Sequence, residues 1–161
     1  MTPVPLPLVI GIGNPLRRDD GVGWRLAAEW GLLQGNDRRA EALAVQQLLP
    51  ELAETVARRE RVLFIDAAID DGSRADSGDG PWLQPLHADG GDGGGLSRSH
   101  SLEPAMLLAL AAELYGHSPE AHRLLLIARQ MAHGTAFSAP VRRQLPIARQ
   151  LLQSWLEAGD A

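Results

Sequence analysis

The 161-residue sequence contains neither cysteine nor lysine. Without cysteine there are no disulfides, thiolate metal sites, iron–sulfur clusters or cysteine nucleophile. Without lysine there is no P-loop. The basic charge is all arginine, and acidic residues exceed it for a net charge of −5. That balance argues against nonspecific binding to nucleic acid or anionic lipid. No apolar run approaches the roughly 20 residues of a membrane-spanning helix. The amino terminus, MTPVPLPLVIGIGN, lacks the charged head of a signal peptide and passes quickly into a strand. The expectation is a soluble cytoplasmic protein. At this length a single domain spanning 1–161 is expected, with a core that needs no covalent staples.

What is present begins with Leu8 to Gly23, LVIGIGNPLRRDDGVG. An apolar run, Leu8–Ile12, reads as a strand buried on both faces, and a glycine turn stops it. Two adjacent carboxylates, Asp19 and Asp20, precede a helical pattern carried by Val22, Leu26, Trp30 and Leu33, with Gly35 and Asn36 as its stop. Ala42–Gln46 is a weak strand. Leu48, Leu49, Leu52, Ala53 and Val56 give a second helix with Pro50 in its first turn and Arg58 and Arg59 at its end. Val62–Ile65 is the clearest strand, and Asp66 stands at its end.

The stretch Asp71–Gly95 then holds eight glycines, five aspartates and two prolines. It predicts a flexible Gly/Asp-rich region over 71–99, interrupted by a short edge strand near Trp82–His87. Beyond it, Ser101 is a candidate N-cap for a third helix bearing Met106, Leu107, Leu110, Ala111 and Leu114 and ending at Gly116. Leu124–Ile127 reads as another buried strand. Val141, Leu145, Ala148, Leu152 and Trp155 give a last helix, in which Pro146 should introduce a kink or delay the start. The alternation of strands and helices predicts an α/β three-layer sandwich: a mostly parallel, twisted sheet with helices on both faces.

In such a sheet, ligands bind beyond the carboxyl ends of the strands at the topological switch point. Asp20 after the first strand and Asp66 at the third reach that crevice if the two strands are neighbours, and His100 ahead of the third helix can join them. Two carboxylates and an imidazole make a donor set suited to a divalent metal with open positions. Each also has a plainer reading: Asp20 as a helix cap, Asp66 bonded to the following turn, His100 as a solvated side chain. His87, His117 and His122 are weaker ligands, and His133 is second-tier. The dinucleotide fingerprint G-x-G-x-x-G fails because Leu16 occupies its third glycine position, and no G-x-S-x-G elbow exists.

The string GIGNPLRRDDGVG resembles the amino-terminal motif of the hydrogenase maturation proteases. QQLLPELAETVARRERVLFIDAA resembles that family's second helix and third strand, and SHSLEPAMLLALAAELYG its histidine-bearing segment. The resemblance implies an endopeptidase that removes the C-terminal extension of a nickel–iron hydrogenase large-subunit precursor. It places the family's three metal-binding positions on Asp20, Asp66 and His100, the first a glutamate in some members. It also implies a metal-dependent, aspartate-type reaction. Nickel would come from the substrate subunit, and zinc or cadmium are other ions able to occupy the site. Asn14 and its neighbouring amides are candidates for holding the substrate chain. The Gly90–Gly95 run and IARQMAHGTAFSAP depart from the family pattern.

Peptidyl-tRNA hydrolases also open with a strand and G-x-G-N-P, but continue to a Thr-Arg-His-Asn-type motif where this chain has its double aspartate. The acidic charge further disfavours that reading. A non-catalytic metal-reading or scaffold protein for hydrogenase assembly and a hydrolase acting on small molecules in the same crevice are the remaining alternatives.

Overall fold

A computed structural model describes residues 5–34, 38–69, 80–88 and 102–159. Five strands form one sheet in the order β2-β1-β3-β5-β4. They are β1 (Leu8–Ile12), β2 (Glu41–Val45), β3 (Arg61–Ile69), β4 (Trp82–Leu86) and β5 (Glu120–Ala128). All neighbours pair in parallel except β4, which runs antiparallel along the edge of β5. The helices are α1 (Val22–Leu33), α2 (Leu52–Ala57), α3 (Pro104–Tyr115) and α4 (Ala139–Ala158).

Alternation along the strands sorts the side chains into two cores, because successive residues point to opposite faces. Val9, Leu63, Ile65, Leu124 and Leu126 face α1 and α4, packing with Leu26, Val141, Leu152 and Trp155. Leu8, Ile10, Val62 and Phe64 face the other way, onto Val56 of α2 and Leu107, Leu108 and Ala111 of α3. Helices therefore cover both faces of a mostly parallel sheet, as the alternating pattern predicted. The chain leaves β1 toward β2 on one side and returns past it to β3 on the other. The switch point lies between β1 and β3.

Several boundaries differ from the sequence reading. Strand β3 runs four residues beyond Ile65, because β5 is equally long and pairs with it from Arg61↔Glu120 to Ile69↔Ala128. Asp66 is therefore inside the strand, not at its end. Helix α2 begins only at Leu52, leaving Leu48 buried in the preceding loop and Leu49 exposed. Arg59 does not cap that helix; its Nη1 donates to the Leu6 carbonyl at 2.8 Å. Helix α4 neither starts late nor stops at Pro146, but runs 20 residues through it. Its amphipathic face, from Val141 to Leu156, outweighs one lost backbone hydrogen bond. Glu103, not Ser101, occupies the N-cap position of α3, with Pro104 at the first helical position. Gly35, Asn36, Ser101 and most of the Gly/Asp-rich 71–99 region, including Gly90–Gly95, lie outside the described residues.

Candidate active site at the carboxyl ends of the central strands

The turn after β1 depends on two close backbone approaches. Gly13 has φ of +145°, and a Cβ there would stand 1.8 Å from the Asp20 carbonyl oxygen. A Cβ on Gly23 would stand 2.3 Å from the Ile65 carbonyl oxygen of β3. The absent third glycine of the dinucleotide fingerprint is thus replaced, seven residues later, by Gly23, which lets α1 settle against the sheet. Between these glycines the chain makes a one-turn 3-10 helix, Arg18–Gly21, which packs beside β3.

The acidic pair in that turn divides its labour. Asp19 is fully buried and takes four hydrogen bonds: from the backbone N–H groups of Arg129, Gln130 and Ser138, each at 2.8 Å, and from the Ser138 hydroxyl at 2.7 Å. All the donors belong to the loop between β5 and α4. Burial pushes the Asp19 carboxyl up, but the Ser138 hydroxyl and the three backbone donors outweigh it and hold the group below its ordinary range. The start of α4 adds the favourable end of a helix dipole. Further bonds knit the two loops together. Arg18 N–H donates to the Gly134 carbonyl, Gly134 N–H to the Leu16 carbonyl, and Asp19 N–H to the Gln130 carbonyl. Arg17 Nε reaches the Met131 carbonyl and Arg18 Nε the Ala136 carbonyl.

Asp20 is half-buried and presented rather than consumed. Its Oδ2 accepts the Asn14 N–H at 2.9 Å, and among the described residues Oδ1 takes no hydrogen bond. It does not cap α1, whose N-cap position is Gly21. Asn14 in turn accepts the Leu16 N–H through Oδ1, so its side chain shapes the turn.

Asp66 lies on β3, on the face that carries Phe64 and Val62. Its Oδ1 accepts the Ala67 N–H at 2.8 Å, and its Oδ2 meets Arg123 Nη2 at 3.2 Å. Burial pushes the Asp66 carboxyl above its usual range; the Arg123 guanidinium and the Ala67 N–H pull it down only part-way, and Glu103 adds to the rise. Arg123 also stands 3.9 Å from Glu103 at the amino end of α3.

Asp20 thus follows β1 and Asp66 lies on β3, the two strands that flank the switch point. His100 lies outside the described residues, three positions before Glu103 in the sequence. Among the described residues no group of three histidine, aspartate or glutamate side chains could hold a metal ion. The two carboxylates suit a divalent cation in their chemistry: hard oxygen donors, with Asp20 Oδ1 taking no hydrogen bond from the described residues and Asp66 bonded to one amide and one guanidinium. Of the other histidines, His87, His117 and His122 lie at the opposite pole. His117 Nε2 sits 2.9 Å from the Arg59 carbonyl, and His122 Nδ1 accepts the Trp155 Nε1–H at 3.2 Å. His133 is exposed in the loop that bonds Asp19. A cavity of about 550 Å³ also lies at that opposite pole, lined by Arg61, Glu120, His122 and Trp155 among others. Arg61 stacks over the Trp155 ring at 4.1 Å and donates to the Trp155 carbonyl.

Sequence reasoning missed Arg123 and Glu103. Arg123 stands one residue ahead of the predicted strand Leu124–Ile127. An arginine at the edge of a fully apolar strand was the available signal, since such a charge needs a partner.

Neither a family model nor a curated protein matches this sequence. Solved structures do. A [NiFe] hydrogenase maturation protease, HybD, from Thermococcus kodakarensis aligns over 94% of this chain and 99% of its own, with 21% identity and a TM-score of 0.64. A hydrogenase 2 maturation peptidase from a Thaumarchaeota archaeon aligns over 94% and 98%, with 23% identity and a TM-score of 0.63. The hydrogenase maturating endopeptidase HybD from E. coli aligns over 96% and 94%, with 20% identity and a TM-score of 0.63. The fold is that of the [NiFe] hydrogenase maturation proteases.

Proposed function

We propose that this chain is a hydrogenase maturation endopeptidase, removing the C-terminal extension of a nickel–iron hydrogenase large-subunit precursor in the cytoplasm. One observation carries the reading. Within the maturation-protease fold, one carboxylate, Asp20, follows β1 and another, Asp66, lies on β3, the two strands that flank the switch point, and each accepts only one backbone hydrogen bond among the described residues. Asp20, Asp66 and His100 are the residues we assign to reading nickel already seated in the substrate. Zinc or cadmium would occupy the same donors in its place. Seated against these donors, such an ion would supply positive charge to a scissile carbonyl or a nearby water. Asp20 Oδ1, which takes no hydrogen bond from the described residues, is the carboxylate oxygen we assign to take the proton from that water. The Asn14 turn fixes where that oxygen points. No helix among the described residues is long and apolar enough to cross a membrane.

The test is direct. The chain is incubated with a nickel-loaded precursor subunit, and the precursor's mass is followed. Loss of a short C-terminal peptide, abolished by Asp20→Ala in a variant that keeps its circular dichroism, is the expected result. Stable binding without mass loss would identify a metal-reading scaffold instead.

A further inference from the structure

Arg123 reaches two anions but bonds only one. Its Nη2 is 3.2 Å from Asp66 Oδ2 and 3.9 Å from Glu103 Oε2. The contact with Asp66 is single, not the two-bond fork that guanidinium and carboxylate form when free to choose. Its Nε is buried without a hydrogen-bond partner. The side chain is about three-quarters buried, with 26% exposed, so these interactions are only partly screened by water. Glu103, for its part, occupies the N-cap position of α3 without capping it, and among the described residues its carboxylate pairs only with Arg123, at 3.9 Å. The guanidinium is therefore held in a compromise pose between two carboxylates, with a better geometry open on the second if the first is taken.

We propose that Arg123 is a built-in counter-cation that competes with a divalent metal for Asp66, and that Glu103 receives it when the metal binds. The inference rests on the proposed reading of Asp66 as a metal-facing carboxylate. Its consequence is selectivity. A free ion has to displace Arg123 unaided, whereas an ion already carried by a docked partner is held against Asp66 by the rest of that interface. The chain then binds free metal poorly and engages metal delivered within another protein.

Calorimetric titration of nickel chloride into the full chain tests this. Arg123→Met is expected to bind nickel about three- to tenfold more tightly than the parent, the range for losing one competing, partly screened ion pair. Arg123→Lys, which keeps the charge, should stay near the parent. Glu103→Gln should weaken binding while Arg123 is present, and change it far less in the Arg123→Met background; that coupling separates a relay from simple loss of negative charge. Arg123→Gln serves the same purpose if the methionine variant does not keep its fold by circular dichroism. Unchanged or weaker binding on removing the arginine, or no detectable binding in either protein, overturns the inference. If Asp66→Asn weakens binding by the parent while Arg123→Met leaves it unaltered, only the role of Arg123 fails. If Arg123→Met tightens binding and adding Asp66→Asn does not reverse it, the ion sits elsewhere and the reading of Asp66 falls as well.

Discussion

Two aspartates at the carboxyl end of one sheet, Asp19 and Asp66, end on opposite sides of the ordinary carboxylate range although burial pushes both up. Asp19 meets four donors, three of them backbone amides, and its carboxyl is held low. Asp66 meets one amide and one guanidinium, and its carboxyl is held high. Desolvation acts on both; the number of donors decides the sign. The half of the site built on Asp19 is a fastener, closing the β1–α1 turn onto the β5–α4 loop. The half built on Asp66 keeps bonding capacity in reserve, as a binding group must.

The largest effect should come from removing the fastener. Asp19→Ala leaves the amides of Arg129, Gln130 and Ser138 buried without an acceptor, at a cost on the order of 3–5 kcal/mol. Asp19→Asn keeps one acceptor oxygen and should lose less. Urea denaturation measures both, and a loss under about 1 kcal/mol for the alanine variant would mean that the two loops hold each other without the carboxylate.

Gly13→Ala attacks the joint between the halves. The added methyl would fall on the Asp20 carbonyl oxygen, at a φ that side chains rarely adopt. A strain on the order of 1–3 kcal/mol is expected, relieved by moving Asp20. Precursor cleavage should fall by more than about tenfold while the far-UV spectrum is retained, since a misplacement of about 1 Å can cost a hundredfold. Full activity in this variant would show that the position of Asp20 is not critical.

The acid limb of stability should belong to Asp19. Its folded carboxyl lies below the ordinary value of 3.8, so its contribution is complete above that pH and is lost as pH falls through the folded value. Asp19→Asn should therefore be less stable than the parent at neutral pH, with the gap closing below pH 3.8. A gap that stays constant with pH would assign the loss to geometry and not to charge.

Much of this fold is written locally, and the fastener is not. The apolar runs Leu8–Ile12 and Val62–Ile65 and the spacing of Val22, Leu26 and Trp30 mark strands and a helix because each pattern sits within one element. The end of β3 is harder to read: Asp66, Ala67 and Ala68 do not look like strand interior, and only pairing with β5 extends it. The same holds for α4, where Pro146 is a local stop signal that tertiary packing overrides. The doublet Asp19-Asp20 announces acidic chemistry, yet which of the two faces the crevice depends on donors 110 to 119 residues away. Arg123 and Glu103 lie 57 and 37 residues from Asp66 in sequence and share no motif with it.

Asp66→Asn gives the smallest effect on stability and the sharpest contrast with Asp19. Because the folded carboxyl lies above 3.8, ionising Asp66 costs folded stability as pH rises through its folded value. A neutral asparagine escapes that cost, still offers an acceptor to the Ala67 N–H, and leaves Arg123 within reach of Glu103. The variant should match or slightly exceed the parent's melting temperature at pH 7, with the difference vanishing below pH 3.8, while precursor cleavage is lost. A drop comparable to that of Asp19→Asn would make Asp66 a second fastener and remove the distinction between the halves. Stability kept and cleavage lost is the pattern of a residue retained for what it binds.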